Sequence, residues 1–210
     1  MTGVRRISTP LGPARAHVTD PPGSVRGTLV LGHGAGGGIE SADLVSVTAG
    51  AAGAGWRVAR VEQPWRVAGK RIAPAPARLD DGWRAVLDDL RAGDLLAGPL
   101  VLGGRSAGAR VACRTAADQG AAGVLALAFP LHPPGRPEKS RAPELTAVAV
   151  PLGVVQGETD AFGPPAAVAA VLSGRANASV YAVPGDHALR RSPDVVGLAA
   201  LAWLSGLVPA

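Results

Sequence analysis

Cysteine is almost absent. Cys113 stands alone in 210 residues, so neither an intrachain disulfide nor a thiolate metal cluster can form. Aromatic side chains are nearly as scarce, with four Trp, two Phe and one Tyr. Most of the 47% hydrophobic content is Ala, Val and Leu, so a core has to come from small side chains packed closely. Lysine is rare too: Lys70 and Lys139 stand against nineteen arginines. Those arginines are scattered, in small groups at residues 5–6, 66–71 and 190–191. A phosphate-tracking surface needs a denser basic stripe with interleaved aromatics, so the net charge of +5 does not point to nucleic acid. No run approaches the roughly eighteen apolar residues of a membrane span. The stretch MTGVRRISTPLGPARAHVTD has Arg5 and Arg6 but no apolar run behind them, unlike a secretory signal. These features predict a cytoplasmic protein with no nucleic-acid or membrane partner.

What is present is an alternation. TLVLG, WRVARVEQP, PLVLGG, GVLALAFP, PLGVVQG and ASVYAVP read as six strands. Helical stretches separate them, at about 41–52 with Ser41 as cap, around Trp83, Val86, Leu87 and Leu90, in AGARVACRTAADQG and in PPAAVAAVLSG. A last helix opens at Ser192, Pro193 and Asp194. Strands apolar along their length, alternating with helices, predict an α/β fold with a mostly parallel sheet covered on both faces. Residues 4–8 and 14–19 add an antiparallel edge hairpin. No repeat, linker or boundary interrupts the chain, so one domain over 1–210 is expected. Two stretches, 62–79 and 130–150, read as long loops, which in compact domains are often functional. Both leave the carboxyl edge of the sheet, where open α/β sheets bind ligands.

Three strand ends carry chemistry. After the third strand comes GRSAG, a G-x-S-x-G match centred on Ser106. A sharp strand-to-helix turn exposes such a serine, and the helix start aims N–H groups at charge forming there. With 29 glycines in the chain, chance supplies about 0.2 such matches. The strand-to-helix context carries the argument. After the fifth strand, Asp160 is placed to orient a histidine; the plainer alternative is an aspartate capping a turn. After the sixth, His187 is placed to take and return a proton; the plainer alternative is a surface histidine. The order Ser106, Asp160, His187 is the chain order of α/β-hydrolase triads. LGHGAGG supplies a glycine loop whose Ala35 N–H, with that of Ala107, would hold an oxyanion. His33 in that loop reads as structural, holding it by a hydrogen bond.

Together LGHGAGG, GGRSAGAR, FPLHPPGRPEK, VQGETDAFG and GDHAL resemble a small, lidless bacterial branch of the α/β-hydrolase superfamily, related to the dienelactone-hydrolase group. The resemblance spans about residues 4–205. It implies a sheet of about eight strands with no cap domain, a Ser106–His187–Asp160 triad, and oxyanion donors at Ala35 and Ala107. It implies a hydrolase of the carboxylesterase or dienelactone-hydrolase kind, acting on a small-molecule acyl substrate without cofactor or metal. Dienelactone hydrolases use cysteine where this chain has Ser106. The connection at 130–150 is too short for a helical cap, so an open site is expected, floored by 130–136 and flanked by 62–79. Candidate substrate contacts are Arg105, His132, Trp65 and Arg66, with Arg136 beside them. The alternatives are a loop hydrogen bond for His132 and structural or solvated arginines.

Two rivals follow from the same residues. GHGAGG is also a G-x-G-x-x-G after a strand, and Glu62 ends the next strand, which together resemble a dinucleotide fingerprint. A hydrolase fold can also serve as a non-catalytic binding or scaffold module.

Overall fold

Aromatic scarcity has a structural counterpart: three of the four tryptophans lie over glycines. A Cβ on Gly27 would come within 2.6 Å of the Trp56 ring, one on Gly153 within 2.6 Å of Trp203, and one on Gly32 within 3.3 Å of Trp83. Large rings thus fill space that small strand residues leave open.

The computed structural model describes residues 2–207. Eight strands, β1 (Thr2–Thr9), β2 (Gly12–Thr19), β3 (Gly27–Gly32), β4 (Trp56–Glu62), β5 (Leu100–Arg105), β6 (Gly123–Leu127), β7 (Leu152–Gly157) and β8 (Ala178–Val183), form one sheet. Their spatial order is β1-β2-β4-β3-β5-β6-β7-β8. The edge hairpin β1–β2 is antiparallel and joins β4 antiparallel, while the pairs from β4 through β8 are parallel. Among the described residues the α-helices are α1 (Ala42–Gly53), α2 (Pro64–Val67), α3 (Pro76–Ala92), α4 (Ala107–Thr115), α5 (Ala142–Thr146), α6 (Pro165–Val171) and α7 (Pro193–Leu207).

A period of two sorts each buried strand between two cores. Leu29 and Leu31 of β3 pack with Leu44 and Val47 of α1 and Trp203 of α7. Val30, between them, packs on the opposite face with Trp83 and Leu87 of α3 and Ala112 of α4. The same alternation separates Val101 from Leu102 and Leu125 from Ala126. From β3 the chain crosses to β4 on one side, and β5 lies on the other. The loops after β3 and β5 therefore diverge toward opposite faces and open a crevice between them.

Two loop expectations need correction. The stretch 62–79 contains α2 and the first turn of α3, and 130–150 contains a 3-10 turn (Pro137–Lys139) and α5. In each of these elements a proline occupies an opening position. Proline suits the first turn because the N–H it lacks would have no helical acceptor there. The 3-10 turn and α5 are the only helical pieces between β6 and β7, and no cap domain is present among the described residues. Ser41 stands at the N-cap of α1, as expected, but its hydroxyl makes no capping bond. No helix among the described residues is long and apolar enough to cross a membrane.

Candidate active site

Ser106 sits in the single position between β5 and α4, with φ 53° and ψ −107°. A side chain rarely adopts this conformation, and holding it costs on the order of 1–3 kcal/mol. The neighbours over-determine it. The Ser106 N–H donates to the Leu127 carbonyl at 2.9 Å, and its own carbonyl accepts the Arg110 N–H at 3.1 Å. The flanking glycines have a further reason. A Cβ on Gly104 or on Gly108 would lie 2.3 Å from the Gly32 carbonyl oxygen of β3. Both ends of the G-x-S-x-G turn are thus pressed against the adjacent strand. Gly108→Ala is expected to destabilise the chain by about 3 kcal/mol through this overlap. A chemical-denaturation difference below about 1 kcal/mol would contradict the packing account.

The loops after β7 and β8 meet in the same way. A Cβ on Gly157 would lie 2.5 Å from the Asp186 carbonyl oxygen and 2.7 Å from that of Gly185. This close approach brings Asp160, buried at 2% exposure, next to His187. Asp160 Oδ2 lies 2.8 Å from His187 Nδ1, and His187 Nε2 lies 2.9 Å from Ser106 Oγ. A carboxylate only accepts, so Nδ1 carries the imidazole proton and Nε2 is left to accept the Ser106 hydroxyl. Two more donors hold Asp160: Gln156 Nε2 reaches Oδ2 at 2.9 Å and the Phe162 N–H reaches Oδ1 at 2.8 Å. The Phe162 ring lies against the His187 ring, centroids 4.1 Å apart and tilted by 31°.

Ala35, Gly36, Ser106, Ala107, Phe162 and His187 line one cleft of about 360 Å³. Ala107 opens α4, where the first N–H groups have no helical acceptor. Among the described residues no acceptor is found for the N–H of Ala35 or Ala107. Cavities of about 540 and 410 Å³ lie elsewhere, and neither is lined by Ser106, Asp160 or His187. Ser106 and His187 line the cleft of about 360 Å³.

A family model for an alpha/beta hydrolase domain matches residues 25–196. The chain belongs to the α/β-hydrolase family. Solved structures share the architecture. An alpha-beta serine hydrolase homologue from Coxiella burnetii superposes with a TM-score of 0.79 at 19% identity, over 98% of each chain. A serine hydrolase without lid from Xanthomonas campestris gives 0.78 at 23% identity, over 100% of this chain and 96% of that one. Est1E from Butyrivibrio proteoclasticus gives 0.82 at 16% identity, over 99% and 100%. At these identities the likeness is one of fold. No curated protein matches the sequence. Family membership supports a hydrolase activity.

Within this α/β-hydrolase the remaining candidates separate. Arg105 lines the cleft, but its guanidinium is engaged: Nε pairs with the buried Asp43 carboxylate at 3.1 Å, and Nη2 donates to the His187 carbonyl at 3.0 Å. It fastens α1 and the His187 loop to the serine turn. Trp65, Arg66 and His132 are not among the cleft-lining residues, and neither is Arg136. α2, which holds Trp65 and Arg66, packs on β2. Trp65 is buried beside His33, with ring centroids 5.4 Å apart. His132 places Nδ1 3.0 Å from the Pro133 carbonyl, the loop bond that was its alternative reading. Of the expected floor at 130–136 only Pro130 reaches the cleft, and nothing of 62–79 does.

The glycine loop belongs to this site as well. Gly34 packs on Arg105, and α1 starts only at Ala42, beyond the glycines. Glu62, the acid a dinucleotide ribose would need, pairs with Arg15 at 3.2 Å. That geometry gives the dinucleotide reading no support. Cys113 is buried, and burial pushes its thiol up to about 12, so it is no thiolate nucleophile.

His33 is buried, with Nδ1 2.9 Å from the Gly34 carbonyl and Nε2 accepting the Gln63 N–H at 3.3 Å. Burial is the main cause that holds its pKa below the ordinary 6.5. The unfolded chain therefore binds the proton more readily. His33 contributes stability that is complete above about pH 6.5 and is lost as pH falls through its lower folded value. His33→Asn should flatten the fall in melting temperature between about pH 7 and pH 5. His17, also lowered chiefly by burial, keeps part of the slope. An unchanged slope in the variant would remove His33 as its source.

Sequence reading missed Gln156 and Phe162. Gln156 is fully buried, accepts the Phe129 N–H at 2.9 Å, and donates to Asp160 and to the Gly163 carbonyl at 2.8 Å. Its signal was available, as a lone polar side chain inside the apolar strand LGVVQG. Phe162 had no comparable signal.

Proposed function

We propose that the chain is a serine hydrolase that cleaves an ester, thioester or related acyl bond of a small molecule through an acyl-enzyme on Ser106. The observation that carries this reading is the unbroken hydrogen-bonded series from Ser106 Oγ through His187 to buried Asp160. It is assembled from three strand ends and opens into a cleft. In the proposed reaction Ser106 Oγ attacks the substrate carbonyl as His187 Nε2 takes its proton. The N–H groups of Ala35 and Ala107 receive the oxyanion. The tetrahedral adduct collapses, the bond to the leaving group breaks, and His187 returns the proton to that group. Water then attacks the acyl carbonyl with His187 again as base, which frees the acid and restores Ser106.

Asp160 keeps the imidazole in the tautomer whose Nε2 accepts, and stabilises it once it is doubly protonated. Est1E, one of the structural neighbours, has been solved with ferulic acid bound, an aromatic carboxylic acid, which makes methyl ferulate one substrate to try. A set of aryl esters with acyl chains from acetyl to decanoyl tests the proposal. Release of acid and phenol, with covalent labelling by a fluorophosphonate, is expected. A chain that turns over none of them and resists labelling would sink it.

A further inference from the structure

The cleft around Ser106 is lined by four arginines, Arg105, Arg110, Arg141 and Arg190, and by no aspartate or glutamate. Two of the four are neutralised from behind. Arg105 has Asp43. Arg110 is held in a fork by both oxygens of Glu144. Glu144 is itself shared, since it also takes Arg114 Nη1 at 3.2 Å, and Arg114 is closed on its other side by Asp80.

Arg141 sits beside this network and outside it. Its Nη1 donates to the Pro130 carbonyl at 2.9 Å, and no carboxylate lies within ion-pair distance among the described residues. A guanidinium carries five N–H donors, so most of its capacity faces the cleft or solvent. The side chain is half-buried. Burial first, and the like charge of Arg110 second, lower its pKa against the pull of Glu144. Arg190, three residues beyond His187, is exposed and makes no side-chain hydrogen bond or ion pair among the described residues.

A partly desolvated cation with no carboxylate at ion-pair distance among the described residues, opening onto Ser106, is an arrangement that an anion completes. The planar fork of arginine suits the paired oxygens of carboxylate or phosphate. A cleft of about 360 Å³ keeps such a group within a short chain of the scissile carbonyl. We infer that Arg141 and Arg190 form a subsite for a carboxylate or phosphate carried by the acyl substrate itself. The inference rests on the serine-hydrolase reading above and narrows it to anionic acyl compounds.

The test separates binding from turnover. Ser106→Ala protein is titrated calorimetrically with the phenyl monoester of adipic acid and with phenyl hexanoate, which share a leaving group and chain length. The anionic ester is expected to bind at least about tenfold more tightly, the scale of one charge-assisted hydrogen bond. Adding Arg190→Gln, whose side chain makes no hydrogen bond or ion pair among the described residues, should remove a large part of that ratio. Adding Arg141→Gln should remove about tenfold, with Arg141→Lys retaining part of it. Thermal melts check that each variant is folded. An ester ending in phosphate ranks the two anions, and preference for either supports the subsite. Equal binding of charged and neutral esters, or a preference that survives both glutamine variants, overturns it. Wild-type turnover is scored separately. Hydrolysis of both esters with no anion preference rejects the subsite and leaves the hydrolase reading intact. Anion-selective binding without any hydrolysis does the reverse.

Discussion

Ser106→Ala is expected to lower ester hydrolysis by about 10⁵-fold or more and to abolish fluorophosphonate labelling. In the proposed reaction the hydroxyl is the one group that forms the bond to carbon, and neither His187 nor Asp160 can replace it. Residual rate over water would come from the oxyanion donors and from substrate positioning. Labelling of the alanine variant at the wild-type level would place the reactive group elsewhere. Cys113 is a poor substitute, because it is buried and its thiol holds its proton to about pH 12. The same position tests the strain. At φ 53° alanine keeps the Cβ that makes the turn costly, whereas glycine removes it. Ser106→Gly should therefore be equally inactive yet more stable than Ser106→Ala by about 1 kcal/mol. A glycine variant that melts below the alanine variant would show that the turn is not strained.

Asp160→Asn is expected to lower kcat by about 10⁴-fold while leaving the substrate dissociation constant nearly unchanged. An amide has nearly the shape of a carboxylate but cannot meet this environment. Oδ2 faces donors from His187 and Gln156, and Oδ1 faces the Phe162 N–H. Whichever way the amide turns, its NH2 confronts at least one N–H. Turned toward His187, it forces the proton from Nδ1 to Nε2, where the ring can no longer accept from Ser106. Turned toward Phe162, it leaves two donors opposed in a buried site, at a cost of about 1–3 kcal/mol. The variant should thus lose activity and melting temperature together. A stable Asn variant with more than a tenth of wild-type kcat would contradict the role proposed for Asp160.

How much of this was legible in the chain depends on the reach of each signal. The buried strands announced themselves because an apolar run that ends in glycine, followed by an amphipathic stretch, is a local pattern. Ser106, Asp160 and His187 were legible for a related reason: each follows its own strand, and the ends of parallel strands share one edge. Gln156 was visible as a polar residue in an apolar strand, yet nothing local said that it would hold Asp160. The stretch 62–79 read as a loop, yet Pro64 and Pro76 open helices there, because a residue that breaks a helix interior also starts one well.

The arginines were the least legible. Arg105 meets the His187 carbonyl across 82 positions, and Arg110 meets Glu144 across 34. A charge in a sequence does not show whether its counter-charge will be beside it. Arg66 and Arg136 were candidates because of the loops they occupy, yet neither lines the cleft. Arg141 drew no attention, though folding sets it at the cleft without a carboxylate. The sequence by itself determined the sheet, its covered faces and the three residues at the strand ends, because periodicity and order along the chain encode them. Only the tertiary structure decided which cations are paired and which face Ser106, because ion pairing depends on distances that close when remote segments pack.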